Sequence, residues 1–371
     1  MIYLDAAATL PVRREALEAA WPYLTGTFGN PSSHHAVGEA AAAGLEDARR
    51  RAAAVLGARR SDIVFTAGGT EAANLAIKGL ALASPRGKHL VTSPLEHEAV
   101  LESVDFLRRV HGFSVTVVDP GTDGVITPAA LGDALREDTT LVSLAAANNE
   151  IGAVSDVAAL AAVAHDAGAL FHTDAVQAAG WIDLRGLGAD ALTLAGHKIG
   201  APKGTGLAMI RGRLPIEPLV HGGGQEGGRR SGTENVAFAV ALAVALELAE
   251  AEREEKAARI APLRDLLLEA AERAGAVLTG PREARLPGHA SFLVPGRSGE
   301  SVLLDLERRG VVASSGSACA AGSDEPSHVL TALGIDREAA QTAVRLTLPG
   351  DLTAAQAEQA VGALAAVLGE G

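Results

Sequence analysis

The sequence predicts an α/β protein whose large unit is built on a mainly parallel sheet, followed by a smaller α/β unit. Two observations lead to this class. Between residues 60 and 211, short β-rich runs alternate with helical stretches, an order typical of parallel sheets covered by helices. From residue 291 onward the alternation returns with shorter segments. Since ligands bind at the carboxyl ends of parallel strands, we expect functional residues in the turns after the strands.

The runs that predict strands in the first region are short and rich in apolar and β-branched residues. They cover residues 63–65, 89–93, 114–119, 141–145, 170–173, 191–194 and 207–210. The helical stretches between them cover residues 96–109, 128–136 and 157–167, and an earlier one follows the TAGGTE segment and ends near residue 82. A helix between successive strands is the connection that a parallel sheet needs.

The second region begins with an Ala- and Glu-rich helical stretch at residues 236–273, which contains Pro262. Because proline lacks an amide N–H and its ring clashes with the preceding turn, we expect Pro262 to divide this stretch into two helices. Later segments predict strands at 291–294, 311–313 and 344–348, a helix at 301–309 and a last helix that begins at Ala354. These segments predict the smaller unit.

The composition excludes several classes of protein. The 371 residues are 48% apolar and 21% charged, as in a folded soluble protein and unlike a disordered chain. A net charge of −13 disfavours nucleic acids and anionic membrane surfaces as direct partners. One cysteine cannot form an internal disulfide or fill a four-cysteine zinc site, and no metal site is predicted.

No targeting or membrane segment is predicted. The first residues, MIYLDAAAT, lack the basic and apolar pattern of a signal peptide. The most apolar run, residues 236–246, is closed by Glu247 and is shorter than the ~18 residues that a membrane span requires. We therefore expect a cytoplasmic protein.

Candidate chemistry lies in turns that follow predicted strands. Gly68-Gly69-Thr70 opens a helix, where glycine backbone and free N–H groups suit a phosphate, although an ordinary turn with Thr70 as helix cap fits too. Asp174 ends an apolar strand and is either a ligand contact or a helix cap. Lys198 also follows an apolar strand. Burial there would lower its pKa and make it a Schiff-base nucleophile, and the alternative is an exposed loop lysine.

These turns together suit pyridoxal phosphate. The cofactor needs a phosphate site, a lysine that bonds to its aldehyde and a carboxylate that keeps its ring nitrogen protonated. Thr70, Lys198 and Asp174 supply these groups, and the 24 residues between Asp174 and Lys198 leave room for one further strand. The sequence therefore predicts a pyridoxal-phosphate site at the carboxyl edge of the sheet.

Cys319 lies in Ser-Ser-Gly-Ser-Ala-Cys-Ala-Ala-Gly, a small, polar and glycine-rich segment. This composition is typical of an exposed loop. The alternative is a buried and inert cysteine, but such residues more often lie in apolar stripes. We interpret Cys319 as a nucleophile.

The motifs along the chain resemble those of cysteine desulfurases, which are class V, fold-type I pyridoxal-phosphate enzymes, and in particular the NifS/IscS-like group with an SSGSAC loop. RSGTEN and SSGSAC…EPSHVL are the most specific of them. The matching blocks are YLDAAAT (3–9), FGNPSSHH (28–35), TAGGTEAANLAIKG (66–79), EHEAV (96–100), NNEIG (148–152), HTDAVQ (172–177), GHKIGAPKG (196–204), GGGQE (222–226), RSGTEN (230–235), SSGSACAAGSDEPSHVL (314–330) and VRLTL (344–348). The resemblance thus covers almost the whole chain. It implies a large cofactor-binding domain at residues 13–250, and a small domain of residues 1–12 and 251–371 that carries the cysteine loop.

The resemblance implies the catalytic roles. Lys198 carries pyridoxal phosphate, and Asp174 pairs with its ring nitrogen. His97 stacks on the ring and assists proton transfer, although without the motif a buried core histidine would be the ordinary interpretation. Cys319 attacks the sulfur of bound cysteine and keeps it as a persulfide.

The remaining site residues are also implied by the resemblance. Gln177 and Asn149 lie near the ring hydroxyl and the substrate. Arg345 binds the substrate carboxylate, for which a guanidinium has the matching geometry. The purely structural alternatives are that Asn149 is a turn residue and that Arg345 forms a structural salt bridge.

Phosphate contacts complete the implied site. Gly69, Thr70 and His197 bind the phosphate within one subunit. Thr233 reaches the phosphate of the other subunit, so the resemblance implies a homodimer.

The chain departs from the family pattern at a few positions. Ala195 stands where a Ser or Thr hydroxyl usually contacts the phosphate, so one donor is missing, and a lost hydrogen bond to a charged group is worth about 1.5–3 kcal/mol. Gly227 replaces an arginine, Leu10 a threonine and Pro349 a glycine. We expect these changes to affect cofactor affinity, substrate positioning and partner docking.

The function that we predict is cysteine desulfuration, in which L-cysteine and an acceptor thiol give L-alanine and a persulfide. The expected partners are a second copy of the chain and a sulfur-acceptor protein of iron–sulfur cluster assembly or tRNA thiolation. Two alternatives stay open. One is a selenocysteine lyase or another class V lyase, and the other is a weakly active paralogue that acts as a sulfur-delivery scaffold.

Overall fold

The computed structural model describes residues 1–84, 86–316 and 326–369. The strands, in chain order, are β1 (Ile2–Tyr3), β2 (Ile63–Thr66), β3 (His89–Thr92), β4 (Ser114–Val117), β5 (Thr139–Ser143), β6 (Leu170–Asp174), β7 (Ala191–Ala195), β8 (Gly206–Ile210), β9 (Val277–Leu278), β10 (His289–Leu293), β11 (Val311–Val312) and β12 (Ala343–Thr347). The helices are α1 (Arg14–Thr25), α2 (Ala36–Val55), α3 (Gly69–Ala83), α4 (Glu98–His111), α5 (Pro128–Ala134), α6 (Val157–Asp166), α7 (Val236–Ala251), α8 (Arg253–Arg273), α9 (Gly299–Arg308), α10 (His328–Ala332), α11 (Arg337–Ala340) and α12 (Ala354–Gly369).

The large sheet has seven strands in the order β2-β8-β7-β6-β5-β3-β4. Strands β3 to β7 pair in parallel, whereas β8 runs antiparallel to both β7 and β2. The structure thus confirms the predicted α/β class and the mainly parallel sheet. The carboxyl ends of β3, β5, β6 and β7 consequently meet at one edge.

Apolar side chains cover both faces of this sheet, as parallel sheets require. Neighbouring residues of one strand belong to opposite layers because strand side chains alternate. Leu141 and Ala191 pack in the layer of α3 and α4, while Val142 and Leu192 pack in the layer that contains α6 and α7. All four side chains are almost completely buried. The sheet is therefore a fixed platform for the turns at its carboxyl edge.

The smaller unit has an antiparallel sheet in the order β12-β10-β9, and β1 pairs in parallel with β11. Its core includes Phe292 and Leu346 from the sheet and Leu267, Val302 and Leu364 from the surrounding helices. Strand β1 therefore joins the first residues of the chain to its last third. The division into domains 13–250 and 1–12 with 251–371 stays a prediction.

The predicted helix break at Pro262 is wrong. Pro262 lies inside α8, and the chain breaks ten residues earlier, between α7 and α8 at Glu252. Pro262 is exposed, so the carbonyl that loses its helical partner can be hydrated. At Glu252, in contrast, Arg13 holds both carboxylate oxygens at 2.8 and 2.7 Å. A tertiary contact rather than the proline thus accompanies the break.

Residues 3–10, here called the N-terminal strap, connect the two sheets. Its Ala6 N–H donates to the Thr347 carbonyl of the small sheet at 3.1 Å. Its Leu10 N–H donates to the His197 carbonyl, beyond β7 of the large sheet, at 3.0 Å. No helix in the part of the chain that the structure describes is long and apolar enough to cross a membrane.

Candidate active site

Asp174 is the last residue of β6 and lies at the carboxyl edge of the large sheet. Its Oδ1 accepts a hydrogen bond from the Val176 N–H at 2.9 Å, which forms a turn and not the helix cap of the alternative interpretation. Burial raises the pKa of the Asp174 carboxyl, and the positive charges of His97 and Lys198 oppose this rise. The structure therefore brings these three predicted residues within electrostatic reach of one another.

Lys198 ends the short 3₁₀ turn that follows β7. Its Nζ donates to the carbonyls of Ala7 and Ala8, the latter at 2.8 Å. Gln177 donates from Nε2 to the same Ala7 carbonyl at 3.1 Å. The N-terminal strap thus holds the ends of two predicted cofactor residues, and Lys198 is not a loop lysine extended into solvent.

His97 follows β3 and caps α4. Its Nδ1 accepts the Ala99 N–H at 3.0 Å, so Nε2 is the ring nitrogen available to exchange a proton with another group. The ring is exposed, which rules out the interpretation as a buried core histidine. His97 therefore offers one free ring nitrogen at the edge where Asp174 lies.

The amino end of α3 forms the expected phosphate region. Thr70 is exposed in the first turn, and space is open around the Cα of Gly68. A Cβ built on Gly69 would lie 3.1 Å from the Cβ of Ala195, so the Ala195 methyl faces this turn. Free N–H groups and the helix dipole favour an anion at such an end.

His197 also lies beside the strap, with Nδ1 3.1 Å from the Thr9 hydroxyl. Burial and, to a smaller extent, the charges of Lys198 and Lys203 lower the pKa of His197 to about 4. The imidazole is consequently neutral at pH 7. It can offer one N–H to an anion without carrying a charge of its own.

Arg345 lies in β12 and is 2% exposed. Its Nη2 pairs with Asp5 Oδ1 at 2.8 Å, and its Nη1 donates to the carbonyls of Asn149 at 2.8 Å and Gly316 at 3.1 Å. The ion pair is what the structural alternative for Arg345 expects. Nε has no partner among the described residues, so the guanidinium keeps unused N–H groups.

Asn149 is joined to Arg345 through its backbone, and its side chain is partly exposed. Thr233 is exposed in the loop before α7 and has no hydrogen bond to any other candidate residue within the described chain. Arg49 anchors this loop by binding both carboxylate oxygens of buried Glu226, at 2.7 and 2.9 Å. Within the described part of one chain, Thr233 is therefore not tied by a hydrogen bond to the other site residues.

Cys319 lies outside the described residues. The segments on either side of it are fastened beside the site. Gly316 binds Arg345, as above, and Ser327 donates to the buried Glu150 carboxylate. His328 donates from Nε2 to the Glu96 carbonyl at 3.0 Å, next to His97.

Sequence reasoning missed three residues that the structure places here. Asp5 lies in the motif YLDAAAT and Glu96 in the motif EHEAV, but the residue type alone predicted no function for either. Burial, together with the nearby charge of Asp174, raises the pKa of the Glu96 carboxyl to about 8. His289 is buried and donates from Nε2 to the Asn149 carbonyl at 3.2 Å. No sequence motif contains His289, so only the fold could reveal it.

The comparisons with known proteins agree on one group of relatives. The family model described as Aminotransferase class-V matches residues 2–359. The chain is 44% identical to the cysteine desulfurase IscS of Dictyoglomus turgidum, over 94% of this chain and 89% of the relative. It is also 44% identical to the cysteine desulfurase IscS of Methanosarcina thermophila, over 94% and 87%. Among solved structures, a NifS-like protein superposes with a TM-score of 0.92 at 35% identity and covers 100% of this chain and 99% of its own.

Proposed function

The chain belongs to the class V aminotransferase family, and from this premise we propose how its residues work. It is a pyridoxal-phosphate-dependent cysteine desulfurase, which converts L-cysteine and an acceptor thiol into L-alanine and a persulfide. The observation that carries the assignment of residues is the meeting of Lys198, Asp174 and His97 at one sheet edge. The small domain, which we propose as residues 1–12 and 251–371, contributes Arg345.

The residues present fit pyridoxal phosphate. Lys198 offers an amine, Asp174 a carboxylate of the right charge for a protonated ring nitrogen, and the open start of α3 an anion site. When bound, the cofactor supplies an electron sink for the carbon from which a proton is removed. The other residues that we assign to its binding are His97, Gln177, Asn149, Gly69, Thr70, His197 and, from the second subunit, Thr233.

In the reaction that we propose, Arg345 and Asn149 hold the substrate by its carboxylate end. Lys198, with His97, takes the α-proton and returns a proton to carbon. The Cys319 thiolate attacks the substrate sulfur, so an S–S bond forms as the C–S bond breaks. The electron pair of that bond stays on the three-carbon fragment, which is protonated and leaves as alanine. Cys319 retains the sulfur as a persulfide.

The cofactor affinity of the Ala195→Ser variant tests the phosphate region. The new hydroxyl would face the first turn of α3, as the Ala195 methyl does. A hydrogen bond to a charged group contributes about 1.5–3 kcal/mol, so we expect pyridoxal phosphate to bind roughly 10- to 100-fold more tightly. Equilibrium dialysis measures this affinity. Ala195→Val, which adds bulk without a donor, is the control and should bind no more tightly than the unmodified protein. Equal affinity of the serine variant would place the phosphate elsewhere.

We propose that the enzyme is a homodimer. Apolar side chains of α1 lie exposed at helical spacing, with Trp21 65%, Leu17 51% and Leu24 53% exposed, and Phe28 beyond them is 70% exposed. A second copy would cover this surface, and it would bring its Thr233 to the phosphate.

Sedimentation tests this assembly. Trp21→Glu places a charge on the exposed apolar surface and should yield monomers, because burying an unpaired charge is costly. Leu266→Glu changes an apolar residue that is 42% exposed elsewhere and should sediment as the unmodified protein does. Dimers of both variants would contradict the proposed interface.

We propose a sulfur acceptor with its own thiol, either an iron–sulfur scaffold or an enzyme of tRNA thiolation. The chain has one cysteine, so any onward transfer must use a thiol of the partner. We also propose a cytoplasmic location, because a reactive thiol persists in a reducing compartment.

The release of alanine from L-cysteine tests the function. With a reducing thiol present, the purified protein reconstituted with pyridoxal phosphate should form alanine and sulfide in equal amounts. Alanine from selenocysteine but not from cysteine would favour a selenocysteine lyase. Cofactor binding without alanine from either substrate would favour a scaffold, which the departures at Ala195 and Gly227 would then explain.

A further inference from the structure

A second feature of the molecule is a cleft of about 880 Å³ behind Lys198. Its walls come from the N-terminal strap and Arg13, from Lys256 and Arg259 of α8, and from the turn after β12. This volume is typical of a cavity for a small molecule. Lys198 and Gln177 of the proposed cofactor site line one side of it, whereas Thr70, His97 and Asp174 do not. The cleft therefore borders the proposed cofactor site and continues from it to α8.

The charges in this cleft differ in their partners. Arg13 is neutralised by Glu252, which it binds through both carboxylate oxygens. Arg259 donates to the carbonyls of Gly350 and Leu352, the latter at 2.9 Å. Lys256 has neither kind of partner in the described part of the chain. Its Nζ lies over the ring of Trp181, 4.1 Å from the ring centroid.

The position of the Lys256 amine is fixed by packing. A Cβ built on Gly350 would lie 2.7 Å from the Lys256 Cδ, and one on Gly180 would lie 3.1 Å from its Nζ. The aliphatic part and the amine thus pass closely along backbone at both positions. Burial, together with the charge of Arg13, lowers the pKa of Lys256 to about 8, as expected for an amine that water solvates poorly. An anion beside the amine would remove this penalty.

The rest of the cleft is suited to an apolar body. Leu10, Val12, Leu348 and Pro349 line it together with the Trp181 ring. The carboxylates of Glu252, Glu255 and Asp351 also line the cleft, and Glu252 is held by Arg13. A buried amine beside an apolar wall suits molecules that carry an anionic group on a hydrophobic frame. A compact inorganic anion would leave most of the wall uncovered.

We infer that the cleft binds a small amphipathic anion, a carboxylate or sulfonate on an apolar frame, with Lys256 as its anchor. The ligand would lie against Ala7 of the strap, whose carbonyl also accepts the Lys198 amine. The inference does not depend on the proposed function.

The fluorescent sulfonate 8-anilinonaphthalene-1-sulfonate is the probe. Titrated into the full-length protein loaded with pyridoxal phosphate, it should bind saturably to one site at pH 7. Lys256→Met should weaken binding at least tenfold. Lys203→Met removes an exposed lysine outside the cleft and should leave the affinity unchanged. No saturable binding, or equal affinity for Lys256→Met, would overturn the inference.

The pH dependence of the probe's affinity gives a second measurement. It uses the unmodified protein and so does not depend on whether a variant folds. The affinity of the unmodified protein should fall about tenfold between pH 7 and 9.5, because the Lys256 amine loses its proton around pH 8. The charged groups that act on the amine or line the cleft with it are Arg13, Lys198, Glu250, Glu252, Glu255, Arg259 and Asp351, and the pKa of nearby Tyr3 is raised above its usual value. The comparison with Lys256→Arg separates the titration of Lys256 from that of any of these groups. Lys256→Arg stays charged and should bind equally at both pH values. A parallel loss in Lys256→Arg would contradict the role of Lys256.

Discussion

Replacing Cys319 by serine should abolish persulfide formation and leave pyridoxal phosphate bound. The thiolate is the group that attacks sulfur, and a serine hydroxyl is not ionised at neutral pH. The chain contains no second cysteine, so no other thiol of the protein can take over. Loss of a nucleophile typically lowers the rate by about 10³-fold or more. Alanine formation and the mass of the protein after exposure to L-cysteine, where one added sulfur atom marks the persulfide, measure the effect.

The serine variant needs a matched comparison. Ser315→Ala changes a small polar residue at the start of the same segment and should retain both alanine formation and the added sulfur. The cofactor absorbance should be the same in both variants, which separates loss of chemistry from loss of fold. Undiminished sulfur transfer by the serine variant would refute the role of Cys319 and, with it, the proposed path of the sulfur.

Replacing Asp174 by asparagine should produce the second large effect. An amide carries no charge to hold a proton on the ring nitrogen, and it cannot balance the positive charges of His97 and Lys198 that act on this position. Removal of one preorganised electrostatic partner costs about 10²- to 10³-fold in kcat. We expect kcat to fall by this factor, the absorbance of bound cofactor to shift, and KM for L-cysteine to change little, because Arg345 and Asn149 are untouched.

Asp183→Asn is the control for this charge change. Asp183 is partly exposed and pairs with Arg185 at 2.8 Å, and surface pairs of this kind contribute little. Its kcat and spectrum should be those of the unmodified protein. A fall in KM alone for Asp174→Asn, or no change in the spectrum, would show that Asp174 does not face the cofactor ring.

The large sheet could be predicted because each of its strands is indicated by a short local run of apolar residues. Runs such as 141–145 and 191–194 are apolar on both faces, and the strands β5 (Thr139–Ser143) and β7 (Ala191–Ala195) lie there. Their turns also placed Asp174 and Lys198 at the same edge, because parallel strands end together. The prediction of a helix break at Pro262 failed because the real break involves a contact between residues far apart in sequence. The break lies at Glu252 and is accompanied by a contact with Arg13, which is far from Glu252 in sequence.

The site was predictable only in part, because the contacts that orient its residues join segments that are far apart in sequence. The resemblance named Arg345 as a substrate residue, but not that Asp5 pairs with it from the other end of the chain. Nor could any spacing show that His289 reaches the Asn149 carbonyl. Residue type and local order identify groups that bear chemistry, whereas the groups that orient them become visible only once distant segments are packed together.

The N-terminal strap has a consequence for biosynthesis. Strand β1 cannot pair with Val311 and Val312 until the ribosome has delivered those residues, although the strands of the large sheet end at Ile210 and the helix α7 that covers one of its faces ends at Ala251. Translation can thus complete and cover the large sheet first, and β1 pairs only after residues 311 and 312 have been made. Contacts between residues that are so far apart in sequence form late in folding. We therefore expect the protein to acquire its cofactor only after β1 has paired with β11, and not when the large sheet alone has been made.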